Sequence, residues 1–195
     1  MVWLGQTAIP TVEAYARIPA RAIEIAARRL ASDDGVICTK KLSAEFSECE
    51  RDQPELAQWM GRALSAPADD AARGLGASLA VTIWNAFRAT AGDRLRRVTR
   101  EDCHAAEALL RTDEELRRSD AKVAMESDDV IAVHQPDVAK FIRARLDDTM
   151  TQLADAIDVD DIDAVYRMLL VEVLALSYAV QPPPELSLAS LRRLS

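Results

Sequence analysis

The chain has 195 residues, 49% hydrophobic and 29% charged, with a formal net charge of −8, which suits one domain or two small helical units sharing a core. An acidic body repels phosphate backbones and anionic lipid, and 5% aromatic residues leave little for a base-stacking platform, so nucleic acid and membrane are disfavoured as partners. Three cysteines without a CxxC spacing (Cys38, Cys49, Cys103) argue against a disulfide framework and point to reduced thiols in a cytoplasmic setting.

Charge is unevenly spread. Residues 1–41 hold six Lys/Arg against four Asp/Glu, 42–126 twelve against sixteen, and 127–195 six against twelve. The apolar start lacks the basic residues of a signal peptide, and the longest apolar run, 168–180, is interrupted by Glu172 and too short to span a bilayer.

Few Gly and Pro among abundant Ala, Leu, Arg and Glu predict helices throughout. Residues 11–30 place Val12, Ile18, Ala22, Ile25, Ala26 and Leu30 at helical spacing, with Pro19 starting a second helix or kinking the first. Residues 32–35 break that pattern, 36–38 read as an extended connector, and Ser43 is a plausible N-cap for a short helix through Cys49. Pro54 suits a helix first turn, and Glu55 beside it complements the positive helix end. That helix should run to Leu64, followed by an apolar helix over 75–89 containing Trp84, Asn85 and Phe87. Thr99 with Asp102 resembles a capping box opening the next helix. A polar stretch, 119–127, reads as a boundary. Pro136 then starts another amphipathic helix, and the acidic run before 165 caps the most apolar helix, which Pro182 stops. A leucine-spaced tail follows from Leu186.

Two stretches repeat. Gln53-Pro54 and Gln135-Pro136 lie 82 residues apart, and Trp59, Met60 and Leu64 align with Phe141, Ile142 and Leu146. Leu79, Val81 and Ile83 align with Leu169, Val171 and Val173 at an offset of 90. The extra eight residues in the second copy are what a loop or helix extension tolerates. The expected architecture is therefore an all-α multi-helix globular bundle of roughly seven to nine helices, built from two related helical units by internal duplication. The division is an N-terminal helical segment (1–41), a first unit (42–126) and a second unit (127–195), all in one compact domain.

Chemical motifs are weak. Glu101 and His104 form one Glu-x-x-His pair, which dimetal bundles use twice with further Glu ligands; its place at a helix start explains the acid without metal. Cys49 or Cys103 with His104 or His134 could form a thiol–imidazole site, but neighbours on a helix diverge by about 100° and buried structural cysteines are commoner. The run Asp155, Asp158, Asp160, Asp161, Asp163 lacks the Gly and Glu of an EF-hand. Arg88, Arg94, Arg96, Arg97 and Arg100 gather near one helix end without the aromatics or recognition helix of a nucleic-acid reader. Glu172 is read foremost as lying at its helix's solvent edge; if buried it requires a partner, such as Arg88 or Arg94, or a proton. Asn85 is a second candidate buried polar residue.

The leading functional reading is a non-catalytic protein-interaction or regulatory module that binds a protein partner or self-associates, with no cofactor. The alternatives are a helical metal protein or enzyme using Glu101 and His104, and a weak nucleic-acid-binding regulator.

Overall fold

The computed structural model describes residues 7–32, 36–119, 127–152 and 158–185. The expected boundary at 119–127 falls almost wholly outside these residues, as do Asp155 and the leucine tail. The described residues form eight α-helices: α1 (Ala20–Leu30), α2 (Thr39–Asp52), α3 (Pro54–Ala63), α4 (Asp70–Ala91), α5 (Arg100–Ser119), α6 (Ser127–His134), α7 (Pro136–Gln152) and α8 (Val159–Ala179). The all-α expectation holds, and no helix is long and apolar enough to cross a membrane among the described residues.

Helices begin where local chemistry favours them. Pro54 and Pro136 open α3 and α7, where a missing N–H costs nothing. Asp69 caps α4 by accepting from the N–H groups of Ala71 and Ala72, and Asp158 caps α8 by accepting from that of Asp160. Thr99 and Asp102 form the expected reciprocal box: the Thr99 N–H donates to Asp102 Oδ2 at 2.8 Å, and the Asp102 N–H donates to Thr99 Oγ1 at 3.2 Å. The 36–38 connector is extended, with Ile37 bridging Ala31. Three helices start earlier than the apolar pattern suggests, α2 at Thr39, α4 at Asp70 and α8 at Val159.

Helices α4 and α8 form the centre, buried without interruption over residues 78–87 and 168–177. They run parallel. At their N-terminal ends the Asp161 carboxylate accepts from the N–H groups of Ala68 and Asp69 at 3.1 and 2.8 Å. At their C-terminal ends the Arg96 N–H donates to the Ala179 carbonyl and the Gln181 N–H to that of Arg94. Gly76 lets the pair approach closely: a Cβ there would sit 2.7 Å from Leu64 Cδ2 and 3.2 Å from the Val165 methyls. The remaining helices surround this pair, with α1 packed on α4 and α7, and α5 on α8 and α3.

The two Gln-Pro sites carry more than helix starts. Gln53 and Gln135 are almost fully buried, and each side-chain amide clamps an extended segment. Gln53 Nε2 donates to the Arg96 carbonyl at 3.2 Å, and the Val98 N–H donates to Gln53 Oε1 at 2.7 Å. Gln135 Nε2 donates to the Ala16 carbonyl at 2.8 Å and to Ser177 Oγ at 2.9 Å, and the Ile18 N–H donates to Gln135 Oε1 at 3.0 Å. The acid two residues on completes each clamp. Glu55 accepts from the Arg100 N–H that opens α5 at 2.6 Å, and Asp137 from the Ala20 N–H that opens α1 at 2.9 Å. These carboxylates satisfy orphan donors and complement the positive helix ends.

Candidate functional site

Glu172 is 0% exposed, contrary to the solvent-edge reading, and neither carboxyl oxygen has a hydrogen-bond partner among the described residues. The all-round apolar character of α8 carries it inward with its neighbours. Arg88 does not reach it. That guanidinium donates to Glu48 Oε2 at 2.6 Å, lies 3.8 Å from Asp52 and stacks 5.1 Å from the Trp84 ring centroid. Arg94 instead donates to the Gln181 carbonyl. Burial therefore pushes the Glu172 carboxyl well above the ordinary carboxylate range.

Asn85 is 3% exposed, and both its amide nitrogen and its oxygen lack partners among the described residues. The structure does not bring Glu101 and His104 inside: both are exposed on α5, whereas Cys103 between them and the core is fully buried. Burial pushes the Cys103 thiol up to about 12, with Asp102 next in effect, and burial likewise raises that of Cys49. His134 is buried, and its imidazole is made less basic first by burial and then by the Arg17 charge. Among the described residues no group of three His, Cys, Asp or Glu side chains could hold a metal ion. The acidic run acts at helix starts, through Asp158 on α8 and Asp161 on the segment leading into α4.

The arginine cluster is largely engaged within the fold. Arg96 donates to both Asp102 oxygens, at 2.5 and 2.9 Å. That bidentate contact, ahead of the Thr99 bonds, lowers the Asp102 carboxyl to about 2.

The surface that stands out is α1. Ile23, Ala26 and Leu30 face the core, while Arg21, Glu24, Ile25 and Arg28 face outward. Ile25 is 49% exposed, and the connector after α1 adds Val36 at 62% and Ile37 at 42%. These are three of the six large exposed hydrophobic residues among those described, so apolar exposure concentrates here. A cleft opens on each flank of the helix. The larger, about 490 Å³, has Leu75, Leu79 and Phe141 in its lining and charges of both signs, Glu24, Arg28, Arg145 and Asp148. The smaller, about 230 Å³, lies between α1 and α4 and contains Ile25, Ala26, Asn85 and Ala89 with Arg21 and Arg29, and no acid lines it.

The described residues are all-helical, and the outer face of α1 carries Ile25 with Arg21, Glu24 and Arg28. No protein-family model, no curated protein and no solved structure matches the chain.

Proposed function

We propose that the chain is a non-catalytic interaction module whose contact surface is the outer face of α1 with the connector after it, and that the partner presents acidic and apolar residues. The carrying observation is the exposure of Ile25 on α1 and of Val36 and Ile37 in the connector after it, on a helix that also exposes Arg21 and Arg28. Apolar area supplies affinity, and the arginines supply orientation and encounter rate against an acidic segment. Glu24 shares this face and lies 3.8 Å from Arg28, which leaves Arg21 as the cation without an ion pair among the described residues. A basic helix docking on the acidic body of a second copy would not close and would grow into open chains, so a different protein is the favoured partner.

The test is photo-crosslinking in cells with a benzophenone side chain at position 25, compared with position 133, where Val133 of α6 is 43% exposed. The expected adduct forms at 25 and not at 133, its cross-linked segment is acidic and apolar, and Arg21→Glu abolishes it. Equal labelling at both positions, or a segment without acidic residues, overturns the reading.

We also propose that this surface sits on a duplicated frame. Support comes from the paired clamps: Gln53 with Glu55 grips residues 96–100, and Gln135 with Asp137 grips 16–20. Each clamp holds the segment that opens the other's first helix. Ile18, Ile23, Ala26 and Leu30 then correspond to Val98, Cys103, Ala106 and Leu110, buried position for buried position. On this reading α1 to α4 form one unit and α5 to α8 the other, so residues 16–41 belong to the first unit instead of standing apart. The differences between units carry the function, since the exposed Ile25 of α1 corresponds to Ala105 of α5.

A further inference from the structure

The smaller cleft beside α1 has three properties in combination. At about 230 Å³ it is below the usual size of a site for a drug-sized ligand and suits one branched or aromatic side chain. Its charged lining is cationic only: Arg21 is exposed and in no salt bridge with a described residue, and Arg29 lies 3.3 Å from Glu45. Its lining also includes Asn85, nearly fully buried, with a donor and an acceptor that no described residue satisfies. Buried amides are almost always paired, and an exception calls for a ligand, a water or a strain explanation.

The chain shows twice what such an amide does when paired. Gln53 and Gln135 each bind one N–H and one carbonyl of an extended segment while neighbouring apolar residues bury it. Asn85 offers the same donor–acceptor pair on a shorter stem. The larger cleft differs on each count, because it carries both signs of charge and its buried Ser78 and Thr82 hydroxyls already donate to helix carbonyls.

The geometry points to the smaller cleft as the seat of a single apolar side chain from a partner peptide. The carboxylates flanking that side chain engage Arg21 and Arg29, and the Asn85 amide, closed off from solvent in this structure, turns to meet its backbone amide. This inference rests on the interaction reading above and names the chemistry recognised there.

The experiment titrates the full-length 15N-labelled chain with three probes: acetyl-Glu-Leu-Glu-amide, acetyl-Gln-Leu-Gln-amide and 4-methylpentanoate. The acidic tripeptide should bind saturably in the millimolar range, shifting the Asn85 side-chain NH2 resonances and those of the Ile25 backbone. The glutamine peptide, and the acidic peptide against Arg21→Glu, should each bind at least about tenfold more weakly, the equivalent of one lost ion pair of about 1.4 kcal/mol. Asn85→Leu should stay folded, since it removes unpaired buried polar groups, and should lose the peptide's advantage over 4-methylpentanoate. Any of four results overturns the assignment: equal affinity for the two peptides, 4-methylpentanoate binding as tightly as the peptide, a silent Asn85, or no saturable binding. If the peptide fails while position 25 still cross-links an acidic segment, the interaction reading stands and this cleft is not its seat.

Discussion

Replacing Gln135 by methionine keeps the side-chain volume but removes both amide groups. The structure makes the cost calculable in order of magnitude. Three hydrogen bonds disappear, at 3.0, 2.8 and 2.9 Å. Ser177 keeps its own donation to the Val173 carbonyl, so the groups left without the clamp are the Ile18 N–H and the Ala16 carbonyl, both on residues 2% exposed. An orphaned buried group costs about 1–3 kcal/mol, so Gln135→Met should destabilise by roughly 2–5 kcal/mol. Gln53→Met should cost less, roughly 1–3 kcal/mol, because Arg96, whose carbonyl it releases, is only half-buried. Urea unfolding followed by circular dichroism measures both. With a slope near 2–3 kcal/mol per molar, the Gln135→Met midpoint should fall by about 1–2 M at unchanged slope. Gln152→Met on exposed α7 should leave the midpoint unmoved. A loss below about 0.5 kcal/mol for both buried glutamines would refute the claim that these clamps hold the helix starts.

Other outcomes follow from the same physical reasoning. Glu172 binds its proton more tightly folded than unfolded, so its contribution to stability is complete below about pH 4.5 and declines as pH rises towards the folded value. The slope is about 1.4 kcal/mol per pH unit. Glu172→Met should raise stability at pH 7 by ~1–3 kcal/mol and flatten that slope in denaturation curves taken from pH 5 to 8; an unchanged slope would place the titration elsewhere. Asp102 behaves oppositely: its stabilisation is present above the unfolded value of 3.8 and is lost as pH falls through about 2, so Asp102→Asn should steepen no alkaline loss but remove part of the acid loss. Gly92 closes α4 at φ 54° and ψ −130°, a conformation that L side chains rarely adopt. Gly92→Ala should therefore cost ~1–3 kcal/mol, read from thermal melts. Iodoacetamide at pH 8 with mass mapping should label half-exposed Cys38 first, because Cys49 and Cys103 are buried with raised thiol pKa values; equal labelling of all three would contradict their burial.

Much of the frame was readable because helix chemistry is local. Proline at a first turn, the Thr99–Asp102 box and the apolar stripe of α8 all act within a few residues of one another. The start of α4 at Asp70 was not readable from its apolar pattern, since its first turns contain Ala, Arg and Gly with few large apolar residues. The Gln-Pro dipeptides were visible, yet the work of each glutamine was not: its backbone partners lie 117 and 119 positions away for Gln135, and 43 and 45 for Gln53. Burial of Glu172 was equally hidden, because a carboxylate among leucines reads as an edge residue until neighbouring helices close over it. The α1 surface was visible only as an apolar, slightly basic segment. Its two clefts arise from how α1 lies across α4, a tertiary fact that no spacing in residues 11–41 encodes.

The most direct test of the α1 reading is the salt dependence of binding between the purified chain and the partner segment cross-linked at position 25. Two exposed arginines facing acids predict affinity that falls steadily with salt. The Arg21→Glu, Arg28→Glu double variant should lose at least about tenfold affinity, with its urea midpoint unchanged. Affinity independent of both salt and these charges would contradict the account, even if binding itself persisted.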